Sequence, residues 1–203
     1  MKLFELFENI NEPKTIVVFG GRFQPMHKGH VESYKLLVNK FGKDSVFIAT
    51  SNKTNFESAL GSISPLTFQE KLNFMVDIYK IDKSKIIETK NPLFLPKEIV
   101  NINGTDCTYI SVTGIKNVNR YENNELYTQY DINGNNNLTL KDKQSYYMAI
   151  SPQAKGISAT EIRNSLLNQK TETEIKNTFT KIFGVYDENQ CDILMTALKK
   201  VRS

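Results

Sequence analysis

Tryptophan is absent from the 203 residues, so any large aromatic ring that stacks on a ligand must come from tyrosine or phenylalanine. Cysteine is nearly absent as well. Cys107 and Cys191 are two thiols in a chain with no recognisable secretory signal, which excludes a disulfide scaffold and predicts a reduced, cytoplasmic protein. No apolar run approaches the length of a membrane span. Leu3, Phe4, Phe7 and Ile10 share one helical face that Glu5 and Glu8 interrupt. Residues 1–14 therefore suit a short helix packed on the body, and neither a signal peptide nor an anchor. Charge of one sign is scarce: the net charge is +4 with no block of like residues, which gives no argument for nucleic-acid binding and is compatible with a small polyanion. Apolar residues are plentiful, and 39% hydrophobic content in a chain of this length supplies one full core.

Histidine is as scarce as cysteine, and both copies fall in one stretch, Gly20-Gly21-Arg22-Phe23-Gln24-Pro25-Met26-His27-Lys28-Gly29-His30. The stretch follows Thr15-Ile16-Val17-Val18-Phe19, which reads as a buried strand, and leads into Val31, Tyr34, Leu37, Val38 and Phe41 at helical spacing. It is thus a strand-to-helix turn. There, glycines let the backbone approach a ligand, and the free N–H groups of the helix's first turn favour an anion, so a phosphate is expected. A spacing of three puts both imidazoles on one helical face, with Gly29 between them.

The rest alternates strands and helices. Ser45–Thr50 reads as a second strand, residues 51–64 as a polar loop at its carboxyl end, and Pro65-Leu66-Thr67 as the opening of a helix through Phe68, Leu72, Met75, Val76 and Tyr79. Lys85–Thr89 is a short third strand, Leu93–Ile102 holds at most a short helix, and Thr108–Thr113 is a fourth strand ending at Gly114. A short helix over Asn117–Arg120 precedes Tyr127–Ile132 and Leu138–Leu140, which flank Asn133-Gly134, a strong hairpin signal. That region, about 126–141, reads as a flap projecting from the core: a cover for the site, a contact between copies of a homo-oligomer, or most economically a tolerated insertion. Ser145–Ile150 is the last core strand. Three helices follow, carrying Ile162, Leu166 and Leu167, then Ile175, Phe179 and Phe183, then Cys191, Leu194 and Leu198. The expected fold is α/β, a Rossmann-like open parallel sheet flanked by helices over residues 15–168, with a small helical C-terminal appendage over 169–203.

The central stretch resembles the H-x-G-H signature of the cytidylyltransferase-like nucleotidyltransferases, and its Gly-Arg-Phe-Gln-Pro variant resembles the archaeal-type nicotinamide mononucleotide adenylyltransferases. Gly156-Ile157-Ser158-Ala159-Thr160-Glu161-Ile162-Arg163 is similar to the family's second signature, I-S-x-T-x-I-R. Ser158 and Glu161 also form a capping box, so a helix N-terminus is expected there in any case. Two points depart from the archaeal-type pattern. Ile63-Ser64 stands where those enzymes carry an arginine, and no tryptophan is present, which leaves Tyr109, Tyr121 or Phe94 to stack on the acceptor. After Gly114, where the family carries an acidic or amide residue, the chain offers Lys116 or Asn117.

The resemblance implies transfer of a nucleoside monophosphate from a nucleoside triphosphate to a small phosphate-bearing acceptor, with pyrophosphate released. ATP and nicotinamide mononucleotide are the leading pair. It implies His27, His30 and Arg163 as catalytic groups, and Gly21, Arg22, Phe23, Gln24, Gly29, Gly114, Ser158 and Thr160 as nucleotide-binding groups. Mg²⁺ is expected to be held mainly by the triphosphate, with no protein metal ligands. Lys28, Lys53 and Lys71 are further cations near the site, each most simply a solvated surface residue. Neither a nucleic acid nor a membrane is expected as partner. The competing readings are a cytidylyltransferase using CTP and a phosphorylated sugar, polyol or choline-like acceptor, and a non-catalytic nucleotide-binding module.

Overall fold

β1 (Lys14–Gly20) is the strand on which the molecule is built, because its apolar run is buried on both faces. Val17 and Phe19 enter one core, with Val46, Ile48, Ile110 and Val112 from neighbouring strands, while Ile16 and Val18 enter a second, with Phe47, Ala49 and Tyr109. An alternation that leaves no polar face belongs to the interior of a parallel sheet. A computed structural model of the chain describes residues 14–54, 64–121, 124–132, 146–151 and 158–200. The expected helix at Met1–Ile10, the Asn133-Gly134 turn, the Leu138–Leu140 arm and the Lys155-Gly156 approach lie outside those residues.

Six strands form one parallel sheet in the order β3-β2-β1-β4-β6-β5. β2 (Val46–Thr50) and β4 (Cys107–Thr113) flank β1, with Val18 paired to Phe47 on one side and to Ser111 on the other. β3 (Ile86–Glu88) closes one edge. β6 (Tyr146–Ile150) follows β4, and β5 (Tyr127–Tyr130) closes the other edge. β5 corrects one expectation: residues 127–130 do not project as the arm of a flap but pair in parallel with β6, a geometry that a tight hairpin cannot produce.

α1 (Lys28–Phe41) and α2 (Phe68–Tyr79) cover one face, burying Val31, Leu37, Leu72 and Met75 against the sheet. α3 (Lys97–Asn103) places Ile99 on the opposite face. α2 begins at Phe68, after its expected Pro-Leu-Thr opening, because Thr67 is its N-cap and is locked by a capping box with Glu70. Its other side, Phe74 and Ile78, joins a separate apolar cluster with α4 (Ala159–Leu167), α5 (Glu172–Phe183) and α6 (Glu188–Lys199). The C-terminal helices are therefore seated on the outside of α2. Among the described residues, no helix is long and apolar enough to cross a membrane.

Candidate active site

The sheet order reverses between β1 and β4, and in open parallel sheets the crevice at the carboxyl ends of such strands is where ligands bind. A cleft of about 510 Å³ opens there. Its floor is the turn from β1 into α1. A Cβ on Gly20 would lie 1.7 Å from the Pro92 carbonyl oxygen, and one on Gly21 would lie 2.8 Å from the Phe23 ring. The protein's own neighbours thus already leave no room for a side chain at Gly20 and little at Gly21. Phe23 adopts φ 45°, which is uncommon outside glycine, and its buried ring holds the turn by edge-on contacts to Phe19 at 5.3 Å and His30 at 5.1 Å.

His27 is the N-cap of α1 and His30 lies in its first turn. The rings stack with centroids 3.8 Å apart, and the His27 backbone N–H donates to His30 Nδ1 at 3.4 Å. Burial lowers the His27 pKa to about 4 and that of His30 to about 3, where the neighbouring His27 adds to the effect. Both rings are therefore neutral at pH 7. Because Nδ1 of His30 accepts a hydrogen bond, its proton resides on Nε2, which makes the ring a donor rather than a cation.

The second helix N-terminus at the cleft is that of α4. Ser158 caps it, accepting from the Glu161 N–H at 3.3 Å while its own N–H donates to Glu161 Oε2 at 2.6 Å, which realises the expected capping box. Arg163, one turn in, is buried and donates to the Gln24 carbonyl at 2.9 Å and to Thr160 Oγ1 at 3.1 Å. Desolvation, with the nearby Arg22 charge, lowers its pKa. The two signatures are thus bolted together across 139 residues.

Most of the residues singled out from sequence line this cleft: Gly21, Arg22, Phe23, Gln24, His27, His30, Gly114, Ser158, Thr160 and Arg163. Gly29 does not line it, being buried inside the first turn of α1. Gln24 lines it, but its amide is occupied: Nε2 donates to the Leu66 carbonyl at 2.9 Å and Oε1 accepts from the Leu66 N–H at 2.8 Å. Gly114 contrasts with Gly20 and Gly21, since nothing lies within 4 Å of a Cβ built on it. Lys116 and Asn117 also line the cleft, as does Ser151, which sequence reasoning missed. The available signal for Ser151 was its place just after the last core strand. The described lining contains Arg22, Lys116 and Arg163 and no carboxylate.

A second cleft of about 520 Å³ lies at the carboxyl ends of β2 and β3, lined by Ser51, Asn52, Lys53, Glu88, Thr89, Lys90 and Glu98. Lys53 is exposed there. Lys28 is exposed too, and its Nζ donates to the Lys181 carbonyl near the end of α5. Lys71 departs from expectation, being 1% exposed. Of the three rings expected to stack on an acceptor, Tyr109 is core, with its hydroxyl bonded to the Gly104 carbonyl. Phe94 and Tyr121 lie 5.0 Å apart in a cluster with Tyr127 and line neither cleft.

The family model described as cytidylyltransferase-like matches residues 18–165. The chain is 24% identical over 199 residues to the probable nicotinate-nucleotide adenylyltransferase of Clostridium perfringens strain SM101, covering 86% of this chain and 94% of that one. It is 24% identical over 152 residues to the nicotinamide-nucleotide adenylyltransferase of Pyrococcus furiosus, covering 74% and 72%. Among solved structures, the nicotinic acid mononucleotide adenylyltransferase of Plasmodium falciparum complexed with NaAD aligns with a TM-score of 0.53 at 18% identity, covering 90% of this chain and 95% of that one. That likeness establishes a shared fold.

Proposed function

The chain belongs to the cytidylyltransferase-like family, and on that footing we propose that it transfers AMP from ATP to a pyridine mononucleotide, nicotinamide mononucleotide first, releasing pyrophosphate. The observation that carries the reading is the convergence, among the described residues, of two helix N-termini, two neutral histidines and three cations on one cleft without a carboxylate. The names of the relatives support the choice of ATP and of a pyridine mononucleotide over CTP with a sugar, polyol or choline-like acceptor.

An acceptor phosphate is a competent nucleophile at neutral pH, so the site needs no general base. It has to align the attacking oxygen with the α-phosphorus and neutralise charge on that phosphate and on the leaving pyrophosphate. His27 and His30 donate to the α-phosphate as charge builds on its oxygens, each worth about 3 to 4 kcal/mol as a preorganised donor. Arg22 and the remaining N–H groups of Arg163 hold the β- and γ-phosphates, with Ser158, Thr160 and the α4 N-terminus beside them. Lys116 and Asn117 face the nucleoside from the turn after Gly114. The acceptor's nucleoside is assigned to the side of the second cleft, whose lining sets Lys53 and Lys90 beside Glu88 and Glu98, while its phosphate has to lie in the first cleft, in line with the α-phosphorus. A Mg²⁺ ion would be held mainly by the triphosphate itself, which fits a cleft whose described lining is cations, hydroxyls and amides. It supplies charge neutralisation on the pyrophosphate.

The test is pyrophosphate release with Mg²⁺ across ATP, CTP, GTP and UTP against nicotinamide mononucleotide, nicotinate mononucleotide, phosphopantetheine, glycerol 3-phosphate and phosphocholine. Activity confined to ATP with a pyridine mononucleotide is expected. Activity with CTP and phosphocholine or glycerol 3-phosphate would replace this reading with the cytidylyl one, and silence throughout despite ATP binding would leave a non-catalytic module.

A further inference from the structure

Lys71 projects from α2 into the wall between the two clefts. Its Nζ donates to Thr50 Oγ1 at 2.9 Å, to the Arg22 carbonyl at 3.4 Å and to the Ser51 carbonyl. The Thr50 hydroxyl in turn donates to the Arg22 carbonyl at 3.3 Å. Arg22 lines the first cleft and Ser51 the second, so one ammonium fixes main chain on both sides of the wall.

Among the described residues, its three hydrogen-bond partners are neutral oxygens, which satisfies the hydrogen bonds of an ammonium but not its charge. Taking a cation out of water without a bonded counter-ion is costly, and a neutral donor would join the same oxygens without that penalty. Burial accordingly lowers the Lys71 pKa to about 8, with Glu88 opposing the shift. A bound polyanion would offset the penalty, and the first cleft is where the phosphates are assigned.

We propose that Lys71 is a positioning residue for the nucleotidyl transfer inferred above: it aims the Arg22 segment from behind and sets a buried positive charge beneath the bound phosphates without touching them. The proposal rests on that functional reading, and the following measurements separate the two.

On the full chain, the Kd for ATP with Mg²⁺, kcat and KM for both substrates, and the urea midpoint are measured for the wild type, Lys71→Met, Lys71→Arg and Thr50→Val. Lys71→Met removes charge and donors and is expected to weaken ATP binding about 10- to 100-fold, the scale of a displaced positioning group. Lys71→Arg should recover most of that affinity. Thr50→Val keeps the ammonium but breaks the relay to Arg22, so it should lower kcat more than it raises Kd. A folded Lys71→Met that binds ATP within twofold of the wild type would overturn the proposal. So would equal losses in Lys71→Met and Lys71→Arg, which mark a purely structural role. If Lys71→Met does not fold, wild-type kcat and KM in Thr50→Val would overturn it. A wild type that binds ATP but transfers nothing defeats the functional reading alone, while one that binds no ATP defeats both.

Discussion

His27 and His30 carry the strongest residue-scale consequence, because their burial makes them donors that stay neutral at physiological pH. Their pKa values of about 4 and about 3 lie below the 6.5 of a solvated imidazole. Between those values the unfolded chain binds protons that the folded chain refuses, so stability falls as pH drops from 6.5 towards 4 and is unaffected by these groups above 6.5. In proton NMR the two C2 resonances, the only ones in the chain, are expected to show no titration between pH 8 and pH 5.5. A midpoint near 6.5 for either ring would contradict the assignment. Gly114 makes a second prediction, since its backbone has φ −70° and its missing Cβ would point into open space at the cleft. Gly114→Val should leave the urea midpoint unchanged and weaken ATP binding roughly tenfold through the clash it builds into the pocket, whereas unchanged binding would remove Gly114 from the nucleotide's path. The signature residues were legible because their types and spacing announce a phosphate turn. The actual duties of Gln24 and Lys71 were not, because their partners Leu66 and Arg22 lie 42 and 49 residues away.

Among the elements, α2 has to satisfy two cores, with Leu72 and Met75 against the sheet and Phe74 and Ile78 against the C-terminal helices. Phe179 of α5 is fully buried at that second core, 6.1 Å from Phe74 and 4.5 Å from Phe183. Phe179→Ala should therefore cost about 3 to 5 kcal/mol in urea unfolding. A loss below about 1 kcal/mol would show that α5 contributes little to the body. The strands β1, β2 and β4 and the amphipathic helices were legible because burial on one or both faces writes itself into the apolar pattern. β5 was misread for the complementary reason. Its Tyr-Thr-Gln-Tyr run is only half-buried, and Asn133-Gly134 nearby signals a hairpin, whereas pairing with β6, which follows later in the chain, sets its direction.

On the scale of the whole molecule, the site exists because the fold brings three distant segments to the point where the sheet reverses. Gln24 holds Leu66 through its side chain and Arg163 through its carbonyl, so the first signature, the approach to α2 and the second signature form one knot at the carboxyl end of β1. The succession of core strands and helices and the two helix N-termini could be read from sequence, but the knot could not, because no local pattern encodes a contact across 139 residues. In the proposed reaction, this assembled cleft catalyses nucleotidyl transfer through preorganised neutral donors. The most direct measurement is kcat for pyrophosphate release from ATP and nicotinamide mononucleotide by the wild type and by His30→Ala, with circular dichroism as the control for folding. A folded variant whose kcat falls by roughly 10²- to 10³-fold is the expected result, and a folded variant with near-normal turnover would contradict the account.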